Sequence, residues 1–190
     1  MGPPVAKRYD VRRSKIRVRF FIIMTTRIKN KIDEAGLIIL DLKDFEVKGR
    51  RASLDLATWL DNDFIIRESS FKKQLESVNW LEMKNTFVAV FCSKDVIIPP
   101  WSYLLIQSKL VGVARQVFFS DLHTMNLLLF QKEIEKLSLT KFKNRRVFLK
   151  ICSGNTVPIE AISMCAHRLM PVVKSLFYGE PCSSIPLIKN

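Results

Sequence analysis

From Phe87 onward, short apolar strand-like runs alternate with segments long enough for helices, and this rhythm restricts the fold more than any other feature. Strand Phe87–Phe91, helix Trp101–Ala114, strand Gln116–Phe119, helix Leu122–Leu137, strand Arg146–Ile151 and a helix beginning at Pro158 make a βαβαβα series. Strands separated by helices of about ten residues or more pair in parallel through crossovers. In the middle helix Leu127, Phe130, Ile134 and Leu137 share one face, which assigns them to the core.

Ahead of that series, Thr25 or Thr26 can cap a short helix to Ala35, with Gly36 in the left-handed position that ends it. Leu37–Leu42 and Ala52–Ala57 read as strands, and Lys48-Gly49-Arg50 between them is expected to turn an antiparallel hairpin. A polar helix, capped by Ser69 or Ser70, follows to Ser77. Near the end, Pro171 divides one long helix into two, 158–169 and 171–178, because proline lacks the amide proton a helix interior needs. Gly179 to Pro186 is too rich in Pro and Ser for regular structure. The expected architecture is α/β: a three-layer mixed sheet with a parallel βαβαβα C-terminal half and an antiparallel N-terminal hairpin.

With 190 residues, 48% of them hydrophobic, the chain can bury the core of one ordinary domain. A formal charge of +13 points toward phosphates, but residues 1–23 hold seven basic residues and one acid, so nearly half of it sits in that extension. Met24 opens a more ordinary start. Residues 1–23 are therefore expected to be a disordered extension or a mis-assigned start, and 24–190 a single domain. Lys141-Phe142-Lys143-Asn144-Arg145-Arg146 could meet phosphate, with Phe142 to stack on a base. A solvated loop before a strand is the favoured reading of that stretch, and nucleic acid is not an expected partner. No run approaches the ~20 apolar residues of a membrane span. Four cysteines without a secretion signal suggest a reducing, cytoplasmic setting.

Aligned with itself, the sequence matches Phe87-Val-Ala-Val-Phe-Cys92-Ser93 to Val147-Phe-Leu-Lys-Ile-Cys152-Ser153, each followed by a loop and then Pro99 or Pro158. Cys182-Ser183-Ser184-Ile185-Pro186 is a weaker third copy. The first two place thiols at the carboxyl ends of parallel strands beside helix N-termini, where α/β sheets bind ligands and thiolates are favoured. Asp95, Asp121, Glu180, Ser93 and Ser153 would join the same rim, with His123 the one candidate base. Cys92 and Cys152, with Cys182 as a conditional third, form a plausible ligand set for zinc or an iron–sulfur cluster. The spacing is no recognised metal signature, and the two strands must be neighbours for the thiols to converge. Cys182 joins only if the chain reverses at Pro171, or if the tail of one copy reaches the other in a homodimer. The plainer reading is that these cysteines are small buried hydrophobes. Cys165 is assigned to the core and His167 to an exposed helical position. No residue is assigned as catalytic, and no glycine-rich phosphate loop or nucleophile elbow is present.

Cys92-Ser93-x-Asp95 with Trp101 and Tyr103, Cys152-Ser153 with Pro158, and above all Pro171-Val-Val-Lys174-Ser175 through Tyr178-Gly179-Glu180-Pro181-Cys182-Ser183 and Pro186 resemble the domain of unknown function 2480 family, uncharacterised bacterial proteins. The resemblance covers Lys29 to Lys189 and brings no activity with it. It implies a setting near sulfur mobilisation and iron–sulfur cluster assembly, with proteins of that assembly as partners. It also implies an acidic residue where this chain has His123, which makes Asp121 the better rim candidate. The leading expectation is an accessory factor with a cysteine-lined metal, iron–sulfur or sulfur-handling site in support of iron–sulfur cluster assembly; the alternatives are a non-catalytic interaction module with structural cysteines and the Pro-rich tail as its contact surface, and a thiol-dependent enzyme.

Overall fold

A computed structural model describes residues 36–151 and 157–190. Within them lie seven strands and four α-helices, an α/β protein as the alternation requires. The strands are β1 (Leu37–Asp41), β2 (Arg50–Asp55), β3 (Thr86–Phe91), β4 (Gln116–Phe118), β5 (Arg146–Lys150), β6 (Ser175–Tyr178) and β7 (Ile185–Lys189). The helices are α1 (Glu68–Glu76), α2 (Pro100–Leu110), α3 (Leu122–Glu135) and α4 (Ile159–Leu169). The expected helix over residues 25–35 and the extension 1–23 lie outside the described residues; Gly36 does take the left-handed conformation, at φ 63°.

The chain forms two compact units, Lys48–Met125 and a second that joins 36–47 to Asn126–Asn190. The first holds a parallel sheet in the order β2-β3-β4. Residues Thr86–Val90 of its central strand are all buried, the near-continuous apolar run of a parallel strand. Its core gathers Leu54, Leu56, Phe71, Leu75, Val90 and Ile106. Phe71 stands edge-on to Trp59 at 5.7 Å and to Trp101 at 5.9 Å.

The second unit holds a four-stranded sheet in the order β1-β5-β6-β7, parallel except for β7. Phe130 and Ile134 of α3 enter its core with Phe142, Leu149, Cys165 and Leu169, and Leu137 packs against it, as the helical spacing indicated, whereas Leu127 of the same expected face is only half-buried.

The N-terminal strands lie where expected, but they do not form a hairpin with each other. β1 pairs in parallel with β5 and β2 in parallel with β3, so each belongs to a different sheet. A 3-10 turn, Leu42–Phe45, closes β1 immediately, and Gly49, at φ 153°, serves close packing: a Cβ there would come within 2.9 Å of the Phe87 ring. After Pro171 the chain does reverse, but as strand β6 and not as a second helix. The tail then returns as β7, a missed strand that accommodates Pro186 at the end of the sheet, with a register shift at Leu176/Phe177. Helix α1 starts at Glu68 without a side-chain cap, and Ser70 instead donates to Asp61 Oδ1 at 3.1 Å.

The two units repeat one plan. β3-α2-β4 and β5-α4-β6 each begin after a left-handed asparagine, Asn85 or Asn144, both at φ 56°. The amide of that asparagine donates to Val113 or Val172, each 2.9 Å away in the loop that follows the helix. Pro99 and Pro158 cap the helices, and the companion strands end in Leu54-Asp55-Leu56 and Leu40-Asp41-Leu42, each aspartate capping a 3-10 turn.

Candidate functional site

At the carboxyl edge of the three-stranded sheet, three strand exits converge: Asp55 from β2, Cys92-Ser93 from β3, and Phe119 to Asp121 after β4. Asp55 ties this edge together, its Oδ1 accepting the Ala57 amide and the Ser93 amide, both at 2.9 Å. Burial pushes the Asp55 carboxyl up, but the Ser93 hydroxyl, the two amides and the Lys94 charge outweigh it and hold the group below its usual range. The loop gains a second anchor through Lys94 and Asp63, 2.6 Å apart. Cys92 is half-buried against the core, and Asp95 is exposed in the loop. Tyr103 of α2 packs on Phe119 at 5.2 Å; burial, and then the neighbouring Cys92 thiol, raise its hydroxyl above the usual value. Asp121 caps α3, its Oδ1 accepting the Thr124 amide at 2.7 Å, and that bond holds its carboxyl below the usual range. His123 is exposed.

Asp55→Ala is expected to destabilise the protein by about 1–2 kcal/mol at pH 7, the range for losing an aspartate cap. The ionised carboxylate stabilises the fold above its unfolded value near 3.8, and that contribution is lost as pH falls through the lower folded value. The stability gap between Asp55→Asn and the native chain in denaturant melts should therefore hold above pH ~4, shrink below it and close only once pH is under the lower folded value; a gap that does not shrink on acidification would contradict the assignment.

In the second unit, Cys182 is exposed at the tip of the β6–β7 hairpin. Gly179 (φ 105°) and a turn in which the Ser183 amide donates to the Glu180 carbonyl at 2.9 Å build that tip, so the C-terminal motif is in large part hairpin chemistry. Glu180 pairs with Lys150 at 2.7 Å across the ends of β5 and β6. Because β6 runs parallel to β5, Cys182 lies at the sheet end where β5 exits at Ile151. Cys152 and Ser153, expected at that exit, lie outside the described residues.

Two findings alter the expected rim. β3 and β5 belong to different sheets, so strand adjacency does not bring Cys92 to Cys152. The Cys-Ser copies are also out of step by one residue. Phe91 is opposite Asp55 and Lys150 opposite Asp41, which makes Ile151, and not Cys152, the counterpart of Cys92. Cys92 and Ile151 both pack on the core of their own unit, so matching by letter hid the shared apolar position. The repeated Leu-Asp-Leu was the sequence signal that would have set the register.

Cys165 is fully buried and His167 exposed, as expected. Phe142 is fully buried and cannot stack on a base. Among the described residues no three His, Cys, Asp or Glu side chains gather as metal ligands, and no helix is long and apolar enough to cross a membrane.

The fold defines an α/β protein built of two units, each with a βαβ crossover between parallel strands. The chain belongs to the family described as Protein of unknown function (DUF2480), which it matches over residues 26–190. Comparison with curated proteins and with solved structures finds no match.

Proposed function

We propose that the chain is a non-catalytic accessory protein that binds a protein partner through the carboxyl rim of its first unit. One observation carries this reading: around a loop fixed by Asp55 and by the Lys94–Asp63 pair, Ile97 is 92% exposed, Phe64 75% and Phe119 49%. Apolar side chains held out on an anchored loop favour association, because their ordering cost is already met. The shared position of Cys92 and Ile151 supports a structural role for Cys92 within this reading.

The native chain as bait should retain a partner in near-stoichiometric amount. Ile97→Ser with Phe64→Ser should lower that by about tenfold or more, whereas Leu81→Ser, an exposed leucine ahead of β3, should not. Equal loss in both variants, or no retained partner, would remove the reading.

A second reading, metal, iron–sulfur or sulfur handling by Cys152 and Cys182 of the second unit, in support of cluster assembly, is favoured by the exposure of Cys182 at the sheet end where β5 exits. Anaerobic purification with metal analysis and visible absorption tests it. Fewer than ~0.1 metal per chain, unchanged on reconstitution, would eliminate a metal site, since such sites bind tightly.

A further inference from the structure

We infer that the amino-terminal edge of the four-stranded sheet binds the phosphate backbone of nucleic acid. The sequence presents Lys141 to Arg146 as an isolated basic stretch, and the fold adds two cations from elsewhere. Lys174 precedes β6, with its amide donating to the Arg145 carbonyl at 2.8 Å. β7 runs antiparallel and sets Lys189 opposite Ser175, which is itself opposite Arg146. Lys141, Lys143, Arg145, Arg146, Lys174 and Lys189 are all exposed, and the segments that carry them, 138–146, 170–175 and 188–190, contain no acidic side chain. Asp33 and Glu34, the acids nearest Gly36 in sequence, fall outside the described residues.

The first unit shows what such cations do when they serve the fold. There Arg51 donates to the Gly49 carbonyl at 2.6 Å, Arg115 donates to the Lys48 carbonyl at 2.9 Å, and both lie over the Phe87 ring. In the second unit, among the described residues, Lys141 lies over Phe142, and the other five side chains make no hydrogen bond or ion pair. Three adjacent strand ends span ~10 Å at ~4.8 Å per strand, about three nucleotides at ~3.4 Å each along one strand. With Phe142 buried, the contact reads charge and not bases.

Fluorescence anisotropy of the full chain with a labelled 20-nucleotide oligothymidylate, over a series of salt concentrations from about 50 to 300 mM, tests this. The native protein should bind with a log–log salt slope of about −2 or steeper, as for ~3 phosphate contacts on a single strand. Arg145→Glu with Lys174→Glu should weaken binding about tenfold or more and flatten the slope by about 1.4. Lys73→Glu with Lys109→Glu changes net charge equally on an exposed part of the first unit and should change affinity by less than about twofold. Circular dichroism checks that both variants fold. Equal loss in the two variants, no binding at 50 mM salt, a slope near zero, or binding to phosphatidylserine vesicles without binding to the oligonucleotide would each overturn the inference.

Discussion

Phe71→Ala is expected to lower stability by about 3–5 kcal/mol. Phe71 is fully buried and is the middle ring of the Trp59–Phe71–Trp101 series, so its removal deletes burial and two edge-to-face contacts together. The three rings sit on three different elements, Trp59 on the 3-10 turn after β2, Phe71 on α1 and Trp101 on α2, so the two that remain cannot both close on the space left behind. Urea unfolding should show a lower midpoint at unchanged slope. A loss below about 1 kcal/mol would mean that the ring series is not the organising contact of that core.

Alkylation of the native protein is expected to divide its cysteines sharply. Cys182 is exposed and should react first, Cys92 is half-buried and should lag, and Cys165 should stay unmodified until the chain unfolds. Burial pushes the Cys165 thiol up to about 11, against an opposing Arg168 charge, so at pH 8 only about one molecule in a thousand carries the reactive thiolate. Peptide mapping after iodoacetamide on native protein, then N-ethylmaleimide in denaturant, reads the order directly. Prompt reaction of Cys92 would shift weight from the interaction reading to the thiol reading. Reaction of Cys165 in the native state would contradict its place in the core. The same map reports on Cys152.

The two βαβ crossovers were legible because β3, β5, α2 and α4 carry their own signals: β-rich apolar runs, proline starts and helical spacing. Phe130, Ile134 and Cys165 reach the core for the same local reason. What local signals cannot contain is the identity of a strand's partner. Leu37–Leu42 and Ala52–Ala57 are close in sequence with a glycine between them, the pattern of a hairpin, yet β1 finds β5 far along the chain. Ser175–Tyr178 is a short apolar run that fits a helix or a strand equally, and Gly179 and Pro181, read as hairpin-turn residues, would have decided for the strand. Of the candidate site, the carboxyl rim around Cys92 was legible and its partners were not. Asp55 lies on a strand that appeared to belong to a hairpin, so its bond to the Ser93 amide had no expression in the sequence.

The nesting of one unit inside the other orders events during synthesis. Lys48–Met125 is contiguous and has its sheet complete once β4 emerges, but β1 must wait for β5, about a hundred residues later. At roughly 5–20 residues per second that delay is about 5–20 s. For that time Leu37-Ile38-Ile39-Leu40 lacks the strand it will join and stays an unpaired apolar segment of the nascent chain, a place where association with other chains competes with folding.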